Sequence, residues 1–417
     1  MNNLNLRKRC FNTINGKSFV GLRFEDNQAL VYFPLGYNIP SDDNECRISI
    51  LNLLKSINLS KKMDDTSNNF GVNVGEFYEF PVNSFLWIIN DYLSNGLYKS
   101  VNVKYSQNGS GKINWKRTFN TNFFVSGTNV IYPKFVVTKN SYEANLITEI
   151  QALCVNISIY YIGFLFGRIK RPACCLKCEF DFLNSNEFCK NIRYYISVID
   201  KEFLNIFDDH KKTILINMKK ILLFCSDKNG FKLKDFGISY YEYAFQAMVD
   251  YVFGNCDVTK YFPYSTWHIL NRKAFRNTSL KPDTLLEAFN KLYILDSKYY
   301  SYGVTGKEDN LPHTDSVQKQ ITYADHVFYN NQYSYDKIFN AFIIPYNKYN
   351  NPFGFNKTIQ YVGFSDGSWK ENSGINLHDH VALILIDTKY LMDCYFKEDV
   401  VDLKRLIDSI EEVSSTF

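Results

Sequence analysis

The hydrophobic pattern changes character along the chain. Over residues 1–140, short apolar runs lie between turn-formers, as in Ser-Phe-Val-Gly-Leu-Arg-Phe at 18–24 and Ala-Leu-Val-Tyr-Phe at 29–33. Runs of this length and punctuation predict strands. One helix is expected among them, over 46–57, and the polar stretch 60–69 reads as a loop or linker. From residue 141 the apolar positions fall three and four apart, over 142–166 and again over 188–224, which predicts helices. Gly230 and Gly237 interrupt this pattern, and a shorter helix is expected over 240–253. The chain therefore divides into a strand-rich N-terminal domain, 1–140, and a second domain, 141–417, that opens with a helical region, 141–225. A length of 417 residues fits two domains better than one core.

The most informative pattern spans 282–300. Two apolar runs flank Phe289-Asn290, which predicts a hairpin with a two-residue turn. Pairing outward from that turn sets Asp283 opposite Asp296. Opposed residues project to one face, and Lys298, two positions on, joins them there. Two carboxylates this close repel, and neither stays ionised unless a cation sits between them. A hard divalent ion such as Mg²⁺ suits oxygen ligands of this kind. It can acidify a bound water and stabilise charge growing on a phosphodiester, with Lys298 as a further donor. The plainer alternative is a surface hairpin with an ordinary Asp–Lys pair. The Pro282-Asp283 dipeptide, placed upstream in hairpin register, favours the functional reading.

Composition narrows the class. Hydrophobic residues make up 46% and charged residues 22%, which excludes a disordered chain. A net charge of +4 permits an anionic partner without requiring one. No apolar stretch follows Arg7, Lys8 and Arg9, so no secretory signal is expected. The apolar stretch 152–167 is broken by Asn156 and Ser158, and it reads as a buried helix too short to span a bilayer. A cytoplasmic protein with free thiols and no membrane contact follows. Cys175-x-x-Cys178, with Cys174 adjacent and Cys189 further on, has zinc-like spacing but lacks a second pair, so unliganded cysteines are expected. His378-Asp379-His380 has no evident third ligand and reads as a solvated loop. Gly109-Ser-Gly-Lys112 departs from the phosphate-loop pattern, with Ser106 where Gly belongs and Ile113 where Ser or Thr belongs, so no nucleotide hydrolysis is expected. Ser239-x-x-Glu242 opens a helix and reads equally well as a capping box. Gln320 and Tyr323, on a helix beginning near Asp315, share one face.

With Asp283, Asp296 and Lys298 in this order, the chain resembles the PD-(D/E)XK nuclease superfamily, whose signature trio these residues would be. The phrase Tyr-Ile-Leu-Asp-Ser-Lys-Tyr-Tyr at 293–300 is more specifically similar to the LlaJI family of restriction endonucleases and, more distantly, to McrC. Gly111-Lys-Ile-Asn-Trp115-Lys-Arg-Thr118 looks like that family's G-x-I-x-W-x-x-T element. Leu146-Ile-Thr-Glu-Ile-Gln is similar to its first long helix, and Phe262-Pro-Tyr-Ser-Thr-Trp267 to the segment ahead of the Pro-Asp. The resemblance covers roughly residues 105–345. It implies an α/β fold with a restriction-endonuclease-like mixed sheet flanked by helices, beside the strand-rich N-terminal domain. It implies a Mg²⁺-dependent DNA endonuclease, type II restriction deoxyribonuclease-like, serving phage defence in a bacterial restriction–modification system. Its partners would be double-stranded DNA, a McrB-like GTPase subunit and an associated DNA methyltransferase. Glu242 would match the first Glu of an acidic helix bordering the metal, although Gln246 stands where a second is usual. The Ser297 backbone carbonyl would be a further metal ligand. Gln320 and Tyr323 would support the catalytic strand and the DNA backbone. A catalytically silent DNA-binding or assembly subunit, and a nuclease of DNA repair, are the alternatives; the complete trio argues against the first.

Overall fold

Backbone pairing, rather than distance along the sequence, decides which parts of this chain fold together. A computed structural model describes residues 5–25, 28–67, 81–176, 186–226, 235–256, 261, 263–277, 280–330, 333–370, 377–397 and 401–416. Two compact units form: Met1–Gly75 with Lys234–Phe417, and Glu76–Leu233. The division thus falls elsewhere than the change of pattern at residue 140.

The first unit opens with β1 (Cys10–Asn12), β2 (Val20–Glu25) and β3 (Gln28–Phe33). Strand β3 runs parallel to β1 and antiparallel to β2. The helix Asp43–Ser67 follows, with the Asp42 side chain accepting from the amides of Asn44 and Glu45 at its start. A carboxylate there satisfies otherwise orphaned donors at the positive end of the helix. Ile50, Leu53, Leu54 and Ile57 give it a buried stripe. The helix continues through the polar stretch expected to be a loop, as far as Ser67. Polarity does not end a helix, and residues 43–67 contain neither Gly nor Pro.

In the second unit the helix Val82–Asn95, which the strand-rich reading of 1–140 did not anticipate, precedes β4 (Ser100–Gln107), β5 (Lys112–Ile113), β6 (Phe124–Ser126), β7 (Asn129–Ile131) and β8 (Val136–Glu143). Strands β4, β8 and β5 form one sheet, and β6 pairs with β7 in another. The Gly111–Thr118 motif supplies β5 and a helical turn, Trp115–Thr118, in which the Arg117 amide donates to the Asn114 side chain. The helix Leu146–Ile162 passes through a short 3-10 turn, and 83% of its most apolar 18-residue window is buried inside the protein. By length and composition alone Leu146–Leu165 could cross a membrane. Helices Asn186–Asn205 and Asp209–Ser226 replace the single long span expected over 188–224. Cys174 donates to the Glu149 carbonyl, and Cys178 lies outside the described residues.

Strand β9 (Asp235–Ile238) returns to the first unit and pairs antiparallel with β2. Gly21 faces Gly237 across that pair; a Cβ on Gly21 would lie 2.2 Å from the Phe236 carbonyl oxygen, so no larger residue fits. This long-range pairing is what assigns the N-terminal segment to the C-terminal half. After β9 come the helix Glu242–Phe253, a small hairpin of β10 (Thr266–Trp267) and β11 (Phe275–Arg276), and then the main sheet.

That sheet contains β12 (Thr284–Ala288), β13 (Lys291–Ser297), β14 (Ile338–Tyr346), β15 (Ile359–Asp366) and β16 (His380–Asp387), in the order β12-β13-β14-β16-β15. Strands β13, β14 and β16 are parallel, and both edge strands run antiparallel to their neighbours. All nine residues of β14 are buried, which accounts for its largely apolar sequence: a central parallel strand is covered on both faces, and the one amide side chain in it, Asn340, donates to the His378 carbonyl. The helix Thr314–Tyr329 connects β13 to β14 and buries Val317, Ile321, Ala324 and Val327. Each fully buried large side chain contributes about 1.5–3 kcal/mol through removal of apolar surface from water. The helix Leu403–Glu411 buries Leu406, Ile407 and Ile410, and Glu411 accepts from Lys291 and from the Tyr293 hydroxyl of β13. The whole is a mixed α/β architecture.

The hairpin turn carries a measurable strain. Phe289 and Asn290 have φ of 51° and 59°, the left-handed pair of a type I′ turn. Asn tolerates this conformation; Phe does so at a cost of about 1–2 kcal/mol. Phe289 is 77% exposed and contributes little to the core. Phe289→Asn is therefore expected to raise the thermal midpoint of the full chain, by an amount equivalent to about 1 kcal/mol. An unchanged or lower midpoint would count against the turn geometry.

Candidate active site

The register between β12 and β13 pairs Thr284 with Leu295 as its outermost couple, so Asp283 leaves the hairpin beside Asp296. Asp296 and Ser297 end β13, and the Lys298 amide still donates to the Ile343 carbonyl of β14 at 2.9 Å. The trio therefore stands at the carboxyl end of a strand whose direction is set by the parallel sheet. Pro282, just ahead of Asp283, is buried.

Both oxygens of Asp283 are engaged. The Ser297 amide donates to Oδ2 at 3.0 Å, and Gln246 Nε2 donates to Oδ1 at 2.9 Å. Lys298 Nζ lies 2.6 Å from Asp296 Oδ2, with the two side chains only 18% and 15% exposed. Water screens this pair weakly. Burial, and then the Asp296 charge, push the Asp283 carboxyl up to about 8, against the opposing pull of the Ser297 amide and Lys298. Burial draws the Lys298 ammonium down, but Asp296 and Asp283 more than offset it, and the net direction is up. The group is thus a pair of carboxylates in need of positive charge, with one ammonium already bound to it. The Ser297 Oγ is also buried without a hydrogen-bond partner among the described residues. A divalent cation would relieve the repulsion and use the free oxygen lone pairs, so the donor set fits one.

Gln320 and Tyr323 lie on one face of the helix Thr314–Tyr329 and both reach main chain. Gln320, buried, is within 3.4 Å of the Ala341 carbonyl on β14, whose Ala341 pairs with Leu295. The Tyr323 hydroxyl donates to the Lys281 carbonyl at 2.9 Å, bracing the segment that enters Asp283. Burial, then Asp296 and Asp283, push that hydroxyl up to about 12, so it remains a donor.

Glu242 is placed differently. It is the first residue of the helix Glu242–Phe253 and is exposed. It lines an open cavity of about 400 Å³ with Asn15, Lys17, Tyr300 and His313. The N-cap of this helix is Tyr241 and no side chain caps it, so Ser239 does not form the capping box that its spacing allows. Gln246, one turn on, is the residue that reaches Asp283.

Residues 19–388 match the model of the LlaJI restriction endonuclease family. The chain belongs to that family. The matched span contains every residue of the site described above. No curated protein matches the chain. Among solved structures it is similar to a chain of the half-complex from a tetradecameric assembly of Thermococcus gammatolerans McrB AAA+ hexamers with bound McrC. The identity is 13%, with 94% of this chain and 82% of that one covered, at a TM-score of 0.36. So distant a likeness carries no argument about the fold.

A second polar group corrects an expectation drawn from the sequence. His378, Asp379 and His380 are not in a solvated loop: they are 0%, 1% and 3% exposed. His378 Nε2 is 3.1 Å from Asp325 Oδ1, and Lys370 Nζ bridges Asp325 at 3.2 Å and Asp379 at 2.6 Å. One ligand atom from each of Asp325, His378 and Asp379 falls within 4.8 Å of the others. The Lys370 ammonium stands where a cation would stand. Burial pushes the Asp325 carboxyl up, but His378 and Lys370 more than offset it and hold it below its usual range. Asp325 lies 53 residues upstream of His378, on the helix Thr314–Tyr329, a distance no local spacing could bridge.

Proposed function

We propose that this chain is the Mg²⁺-dependent endonuclease subunit of a bacterial restriction system, hydrolysing phosphodiester bonds of double-stranded DNA on a PD-(D/E)XK-type core. The observation that carries the reading is the convergence of Asp283, Asp296 and Lys298 at the end of β13, inside a chain of the LlaJI restriction endonuclease family. Asp283, Asp296 and the Ser297 carbonyl would hold Mg²⁺, which when bound acidifies water and stabilises charge on a phosphate. Lys298, kept cationic by Asp296, donates to a phosphate oxygen or orients the attacking water. Tyr323 holds the segment that enters Asp283, and Gln320 holds β14, the strand on which β13 and its Asp296 are paired. A McrB-like GTPase is proposed as the partner, and a DNA methyltransferase as the companion that protects host DNA.

The test is incubation of unmodified and methylated plasmids with the chain, with and without the GTPase and GTP. Cleavage is expected with Mg²⁺ or Mn²⁺ and not with Ca²⁺, which shares the oxygen ligands but acidifies water less. Ca²⁺ should still support DNA binding. Full activity in excess EDTA would rule the mechanism out.

A further inference from the structure

The helix Glu242–Phe253 meets the hairpin through an amide. Gln246 Nε2 holds Asp283 Oδ1 at 2.9 Å, while the Ser297 amide holds Oδ2 at 3.0 Å. A carboxylate offers about four acceptor positions. Two donors, one on each oxygen, set its plane and leave the remaining lone pairs for other partners. Gln246 is only partly buried, and Glu242, four residues earlier, is exposed and directed to the neighbouring cavity. At its hydrogen bond to Asp283 the helix presents an amide rather than a carboxylate. It supplies a neutral donor.

We propose that Gln246 is a positioning residue of the candidate active site. It fixes the orientation of Asp283 for a divalent cation and limits the site to two side-chain carboxylates. This rests on the metal-nuclease reading given above. The physical trade is specific. A third carboxylate at 246 would replace the amide's donation with a further negative charge beside Asp283 and Asp296, disfavouring the cluster when no cation is bound and attracting a cation more strongly. An amide holds Asp283 in place in both states. The cation site is then assembled before metal arrives, at lower affinity than three carboxylates would give. A residue at 246 that cannot donate leaves Asp283 free to rotate, and groups that orient metal ligands typically change metal affinity by about 10- to 100-fold.

Two variants of the full chain separate this role from a packing role. Gln246→Met keeps length and volume but removes the donor; Gln246→Glu keeps length and adds the carboxylate. Mn²⁺ binding is measured by titration calorimetry without DNA, alongside the thermal midpoint in EDTA. The Met variant is expected to raise the Kd for Mn²⁺ about tenfold. The Glu variant is expected to bind Mn²⁺ more tightly than the wild type and to melt lower in EDTA. A packing role would not move the two affinities in opposite directions. Wild-type Mn²⁺ affinity in Gln246→Met, with binding lost in Asp296→Ala, would overturn the role of Gln246 alone. Absence of Mn²⁺ binding by the wild type would overturn the metal-nuclease reading beneath it.

Discussion

Asp296→Ala and Lys298→Ala are each expected to remove DNA cleavage while leaving fold and DNA binding nearly intact. Losing a single aligned donor to a developing oxyanion costs about 10²- to 10³-fold in rate, and losing a carboxylate that holds the cation should cost at least as much. The two variants should differ in stability without metal, and that difference tests the site's electrostatics apart from its chemistry. Asp296→Ala removes the repulsion on Asp283 and leaves Asp283 to balance Lys298, so the thermal midpoint in EDTA should hold or rise slightly. Lys298→Ala leaves two adjoining carboxylates with no cation. Because the Asp283 carboxyl is raised above its unfolded value of about 3.9 to about 8, its stabilising contribution is complete below the lower value. It is lost as pH climbs through the higher one. The wild type in EDTA should therefore lose stability between about pH 4 and 8, over a wider pH range in Lys298→Ala and a narrower one in Asp296→Ala. Mg²⁺ should flatten the slope in the wild type. Wild-type nicking by either variant in Mg²⁺ would show that the trio is not the active site.

The second large effect concerns the partner. The isolated chain is expected to cut poorly and to gain at least tenfold when a McrB-like GTPase and GTP are supplied. The surface proposed to receive the partner is the strand-rich part of residues 1–140. There Trp115, Phe119, Phe123 and Phe124 are 50%, 57%, 52% and 64% exposed. They are clustered: Trp115 lies 5.7 Å from Phe119 between ring centroids, and Tyr132 lies within 6 Å of both Phe119 and Phe123. Exposed aromatic side chains grouped in this way are what a partner-binding surface is expected to present. Trp115→Ala combined with Phe119→Ala should abolish capture of the GTPase and leave Ca²⁺-supported DNA binding unchanged. DNA recognition by this region, through Lys112, Lys116 and Arg117, would show instead as DNA binding lost in Lys-to-Ala variants and a steep dependence on salt. Strong, specific, GTP-independent cleavage by the chain alone would sink the two-subunit proposal.

How much of this was legible beforehand follows from the range of each signal. The hairpin could be read because its determinants are local: two apolar runs, a two-residue turn, and a pairing rule with period two that carries Asp283 to Asp296. The helix over 240–253 was legible in the same way, since a 3.6-residue period marks the face that must be buried, and the start of another was legible near Asp315. Periodicity does not say what covers that face. The first 75 residues join the C-terminal half because β2 pairs with β9, more than 200 residues away. No feature of the N-terminal segment alone announces that. Nor does periodicity settle which polar residue at the margin of a buried stripe meets a neighbouring element. Glu242 and Gln246 are one turn apart, and the rise and rotation of a docked helix bring the amide, not the acid, to Asp283. The buried His378-Asp379-His380 segment makes the same point from the opposite side. Its polar residues read as solvated until Asp325 and Lys370, from separate parts of the chain, arrive to neutralise them. Local sequence determined the turn, the strand faces and the order of Asp283, Asp296 and Lys298. Long-range packing decided which half the N-terminus joined and which side chains completed each charged cluster, because burying a charge is tolerable only where tertiary partners supply its counter-charge.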